Sequence, residues 1–69
     1  MKISARNQLR GTVLLVDTGE VMAEVTVDVG GQQMVAAITK RSVDRLGLRE
    51  GTAVTVLVKS TEVMLATDD

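Results

Sequence analysis

Hydrophobic and polar positions alternate most cleanly along residues 21–29. Val21, Ala23, Val25, Val27 and Val29 interleave there with Met22, Glu24, Thr26 and Asp28. A period of two sends successive side chains to opposite sides of a pleated strand, so the segment predicts a strand with one apolar and one mostly polar face. Residues 7–16 predict an earlier strand carrying Leu9, Val13, Leu14, Leu15 and Val16, with Asp17-Thr18-Gly19-Glu20 as the turn between the two. Val29-Gly30-Gly31-Gln32 contains two residues that tolerate positive φ, a tight-hairpin signal, and residues 34–39 continue as a third strand.

The period then changes. Ser42 is positioned to cap a short helix, with Asp44 in its first turn and Val43 and Leu46 on one face. Gly47 suits the left-handed position that ends a helix, and Leu48 the apolar contact beyond it. After a Leu48-Arg49-Glu50-Gly51 turn, residues 53–59 read as a fourth strand with Val54, Val56 and Val58 on one face. Residues 62–66 read as a short fifth strand, and Thr67, Asp68 and Asp69 as a polar tail. Three strands, a short helix and two strands predict an all-β fold: a small five-stranded OB-like Greek-key barrel with one helix between strands 3 and 4. The run Val13-Leu14-Leu15-Val16 is apolar on both faces, so both faces are expected to be covered, which points to contact between subunits.

Size and composition sharpen that point. A chain of 69 residues is one domain, and at this length about 60% of the unfolded surface is buried on folding. Small domains are usually stapled by disulfides, metals or oligomerisation. The chain has no Cys and no His, so the first is absent and the usual metal ligands are missing, while 45% of the residues are hydrophobic. Burial between subunits is the remaining route. Eight cationic and nine anionic side chains give a net charge of −1, which lacks the basic excess of a nucleic-acid or membrane-surface binder. No stretch approaches the roughly 20 apolar residues of a membrane span, and the first residues lack the apolar core of a signal peptide; a cytoplasmic location is expected.

Two clusters remain that the strand pattern does not absorb. Ser4, Arg6 and Asn7 offer a hydroxyl, a guanidinium and an amide; Lys59, Ser60 and Thr61 offer an ammonium and two hydroxyls. No base stands ready to activate any of them as a nucleophile. What they share is hydrogen-bond donation, which suits a multi-oxygen anion. Read on pattern alone, cations near strand ends are solvated charges or edge guards, Thr39 and Ser42 are capping groups, and the four Met residues fill core or interface. The carboxylates are dispersed and show no metal-loop spacing.

At these residues the chain resembles a known family. SARNQLRGTV, the AEVTV strand, ITKRSVDRLGL and REGTAVTVLVKSTEVMLA together resemble the Mop domain of the molbindins, small molybdate-binding proteins related to TOBE domains, over residues 1–66. The pairing of SARNQL with KST is the specific part. The resemblance implies an OB-like barrel, a single domain over residues 1–69, and a cytoplasmic homo-oligomer, a hexamer built as a trimer of dimers. It implies molybdate, and tungstate beside it, as ligands at subunit interfaces, held for molybdenum storage and homeostasis with no catalysis. It implies that Ser4, Arg6, Thr39, Ser42, Lys59 and Ser60 donate to the oxyanion, with Ala5 and Asn7 as lesser contacts, and no bare metal cation. Arg10 stands where a Lys is common and keeps its charge. Three rival readings remain open. A nucleic-acid-binding OB module would want aromatic stacking platforms, and the chain has no aromatic residue. The others are a purely structural or regulatory module that oligomerises, and an enzyme acting on an oxyanion or on the molybdenum cofactor, for which no base, nucleophile or metal cluster speaks; binding of the cofactor itself is a minor alternative, by the family's association with molybdopterin.

Overall fold

The structure, a computed structural model, describes residues 1–68. The elements run β1 (Asn7–Thr18), β2 (Met22–Val29), β3 (Gln32–Thr39), α1 (Lys40–Leu46) and β4 (Ala53–Val58), followed by a 3-10 turn over Ser60–Glu62. The four strands form one antiparallel sheet in the order β3-β2-β1-β4. The fold is therefore mostly β with one short helix between β3 and β4, as expected. The expected fifth strand over residues 62–66 does not form within this chain. Glu62 closes the 3-10 turn, the residues after it join no ladder, and the sheet stays open at β3 and β4.

The long β1 organises everything else. Its first half, Asn7 to Thr12, pairs with β4, and its second half, from Thr12 to Thr18, pairs with β2. Thr12 is the shared position, opposite Asp28 on one side and Ala53 on the other. Immediately before it, Gly11 lets the β2 backbone approach closely. A Cβ built there would lie 2.6 Å from Val27 Cγ1 and 2.7 Å from Asp28 O, so no larger residue fits without movement. Immediately after it the register slips by one residue between Val13 and Leu15, a bulge that absorbs Leu14 and bends the strand. The loop before β4 closes on this bend: Gly51 N–H donates to Val13 O at 2.8 Å and Val13 N–H to Thr52 O at 2.9 Å.

The hairpins follow local chemistry. Gly30 and Gly31 both take positive φ, 57° and 86°, and join β2 to β3 as the sequence predicts; the Asp28 carboxylate accepts the Gly31 N–H at 3.1 Å. The helix end also matches expectation: Gly47 is left-handed, and the N–H groups of Gly47 and Leu48 donate to Asp44 O and Val43 O. The helix start differs. Thr39, not Ser42, is the N-cap, accepting the Ser42 N–H, and Asp44 lies beyond the first turn. The last β3 residue already has the extended backbone a cap requires, so the helix begins one residue after the strand ends.

The core is small. Val13, Ala23, Val25, Val27 and Val43 are buried, with Val16, Val29, Ile38, Leu48, Val54 and Val56 packed against them. The inward positions of β2 are thus sealed by β1, β3 and the helix. Leu14 and Leu15 remain 41% and 52% exposed, so one chain by itself does not cover both faces of the apolar run in β1. Beyond Gly11, β1 and β4 continue as a ribbon with no third strand alongside, and two-stranded ribbons alone are marginal in water.

Candidate functional site

The tip of this ribbon carries the first donor cluster. Asn7 pairs with Val58, so Arg6 and Lys59 are the next residues outward on the two facing strands, and Ser4 and Ser60 lie just beyond. All four are exposed. Two local devices hold the chain here. The Gln8 side-chain amide donates to Ala5 O at 2.8 Å, bracing the segment that leads into β1. On the other strand, Glu62 N–H donates to Lys59 O at 2.9 Å and Val63 N–H to Ser60 O at 3.4 Å, forming the 3-10 turn. Among the described residues, no side-chain hydrogen bond engages Ser4, Arg6, Lys59 or Ser60. Like charges at facing strand positions repel, and an anion between them removes that repulsion.

Thr39 and Ser42 lie elsewhere. Thr39 pairs with Met22, and the neighbouring Ala23 pairs with Thr18, so they stand at the far end of β1 from Asn7. The Thr39 hydroxyl donates to Ser42 Oγ at 2.8 Å while accepting the Ser42 N–H at 3.1 Å. Thr39 therefore has its proton engaged, and Ser42 keeps a free hydroxyl proton. A shallow cavity of about 470 Å³ opens beside this pair, lined by Glu20, Val21, Thr39, Lys40, Arg41 and Asp44. Lys40 is tied down through its backbone, its N–H donating to Val21 O at 2.8 Å.

One chain thus brings together Ser4, Arg6, Lys59 and Ser60, and separately Thr39 and Ser42, but not the two groups. A twelve-residue strand such as β1 spans up to about 36 Å at roughly 3.3 Å per residue, close to the long dimension of the whole molecule, 40 Å. No tetrahedral anion bridges that span. Sequence reasoning passed over Gln8, whose only signal is an amide three residues after Ala5, and the Lys40-Arg41 pair beside the cavity, legible only as a short charge run.

Comparison with known proteins identifies the family. The TOBE domain family matches residues 3–65. Molybdenum-pterin-binding protein 3 of Clostridium pasteurianum is 47% identical over 66 residues, covering 94% of this chain and 97% of the relative. The solved structure of a molybdate-binding protein from Sporomusa ovata superposes with a TM-score of 0.92 at 48% identity, covering 97% of this chain and 100% of that one. The cytoplasmic molybdate-binding protein ModG, solved with molybdate bound, superposes with a TM-score of 0.83 at 41% identity, covering 87% of this chain and 43% of that one. With a family match over nearly its whole length and a relative of nearly equal size at this identity, the chain belongs to the molbindin, or Mop-domain, family of TOBE proteins.

Proposed function

We propose that this protein, a single domain over residues 1–69, binds molybdate, and tungstate beside it, at sites shared between copies of a homo-oligomer. The ligand reading is supported by the relatives described as molybdate-binding. The shared-site reading is carried by one observation: the six donors fall into two groups at opposite ends of the chain's longest strand. A second copy supplies one group to the other. Arg6 and Lys59 together match the two negative charges of the oxyanion, and Ser4, Ser60 and Ser42 supply neutral donors to its remaining lone pairs. Thr39 acts through Ser42, orienting its hydroxyl. A hexamer of three dimers accommodates this sharing and covers the apolar surface that one chain leaves open.

The donor set contains no general base and no nucleophile, so the protein holds its ligand without transforming it. That chemistry suits storage and homeostasis of molybdenum in the cytoplasm. The name of the Clostridium relative includes pterin. A pterin ring calls for an aromatic or apolar slot, and this chain has no aromatic residue, so the bare oxyanion is the better match.

Isothermal titration with molybdate, with sulfate, and with molybdate against Arg6→Ala tests the reading. Strong molybdate heat, weak sulfate heat and at least about a tenfold affinity loss in the variant, or roughly 1.4 kcal/mol, are expected. Absence of molybdate binding in the unaltered protein overturns it.

A further inference from the structure

The arm that brings Ser4 and Arg6 to the ribbon tip is tied by a side-chain hydrogen bond at one point. We propose that Gln8 is a positioning residue of the oxyanion site, its side-chain amide holding the Ser4–Arg6 arm in a ligand-ready shape before the ligand arrives. The inference deepens the molybdate reading above and rests on it.

The arm has no sheet to hold it. The β1–β4 ladder begins where Asn7 faces Val58, and among the described residues no turn or loop backbone bond engages residues 1–6. The chain bends at Ser4, and both Ser4 and Arg6 are exposed. Exposed backbone with few contacts marks a segment that opens easily. Against that stands the bond from Gln8 Nε2 to Ala5 O at 2.8 Å. It bridges Arg6 and Asn7, so the residue that carries the guanidinium lies inside the closed loop. The anchored end is firm, because Gln8 is paired with Leu57 in the ladder. The brace thus ties the arm that carries Arg6 to the same two strands that lead to Lys59, one residue beyond Val58. Gln8 is itself exposed and lies outside the buried cluster, so what it orders is the arm and not the core.

Glutamine suits the task. Bracing a carbonyl needs a donor, and a neutral amide supplies one without changing the charge beside the site. A carboxylate of the same shape would set acceptor against acceptor and repel a dianion. An ammonium would donate, but it would add a third cation to Arg6 and Lys59. The gain is pre-organisation: a donor already held in place loses little freedom when the ligand arrives. Fixing the backbone of one residue is worth roughly a factor of ten in an equilibrium constant, so loss of the brace should weaken molybdate binding about tenfold.

Amide relaxation by NMR and molybdate titration test the assignment on the full-length protein, unaltered and as Gln8→Met, Gln8→Glu and Gln8→Lys. Without molybdate, the amides of Ala5 and Arg6 should show order parameters of about 0.85 in the parent and in Q8K, which keeps a donor, and below about 0.6 in Q8M and Q8E. Q8M should bind molybdate about tenfold more weakly while melting within about 2 °C of the parent, a split that a merely structural role would not give. Saturating molybdate should return its arm to the parent's order. Unchanged order at Ala5 and Arg6 in Q8M overturns the proposal: with weakened binding it makes Gln8 a ligand contact, and with parent binding it leaves the amide no part in the site. A loosened arm that still binds with parent affinity overturns it as well. Absence of molybdate binding in the unaltered protein sinks the oxyanion reading, and the order parameters without molybdate still decide whether Gln8 holds the arm.

Discussion

Replacing Gly11 by alanine puts a methyl group into the space where β1 passes from β4 to β2. The added carbon would lie 2.6 Å from Val27 Cγ1, 2.7 Å from Asp28 O and 3.1 Å from Val29 Cγ2, where ordinary contact is 3.4–4 Å. The nearest neighbours cannot give way cheaply. Val27 is buried and β-branched, so its χ1 is stiff, and Asp28 O is backbone beside the Thr12 pairing. Overpacking of this kind costs about 1–3 kcal/mol, and the overlap here belongs at the upper end. Reduced freedom of the unfolded chain offsets about 0.4–1 kcal/mol of it. The net destabilisation is about 2 kcal/mol, which in a domain of this size lowers Tm by roughly 8–16 °C. Circular-dichroism melts at one fixed protein concentration measure it, since an assembling protein melts in a concentration-dependent way. Gly19→Ala serves as the comparison, because its Cβ meets only Met22 O at 3.2 Å. The ribbon that carries Arg6 and Lys59 leaves the β2 edge next to Gly11, so a shift there should also weaken molybdate binding in G11A. If G11A melts within about 2 °C of the parent, the close crossing of β1 and β2 is not as tight as these distances require.

Thr39→Ala removes the cap of α1 and should cost about 1 kcal/mol in a urea melt, while Thr39→Ser retains both the cap and the hydroxyl that orients Ser42. Titration should then show weakened molybdate binding in T39A and near-parent binding in T39S. Val13→Ala empties the best-buried position of the core, 1% exposed, and should cost about 2 kcal/mol by the same melt. Lys59→Met keeps the length of the side chain and removes its charge; it should leave the melting temperature without molybdate unchanged or slightly raised, because a facing cation is lost, while abolishing most of the stabilisation that molybdate confers.

Much of the fold was legible because its signals are local. The alternation in β2, the Gly30-Gly31 hairpin and the Gly47 helix end each depend on a few consecutive residues whose φ preferences or burial pattern admit one solution. The cap was misread by one turn position. Both Thr39 and Ser42 are competent caps, and the choice depends on where β3 ends, which its pairing with Met22 decides. The bulge at Leu14 was invisible, since an apolar run has no period from which a slipped register can be read. The strand expected over residues 62–66 does not form in this chain, because an apolar segment becomes a strand only where the sheet offers it a partner, and that is a property of the sheet and not of the segment.

The same division holds for the site. The sequence by itself determined the chemistry: donors without bases, one cation in each donor cluster, no aromatic platform and no metal ligand cluster, together with too much apolar surface for so short a chain. Side-chain type settles such matters whatever the fold. Only the tertiary structure decided the grouping, Ser4 and Arg6 beside Lys59 and Ser60, with Thr39 and Ser42 at the opposite end of β1. Residues more than fifty positions apart meet because antiparallel pairing aligns Asn7 with Val58, and residues nearer in sequence are kept apart because a single extended strand runs between them. Distance along a chain and distance in space are related only through strand register, and register is set by long-range packing around Gly11 and Val13.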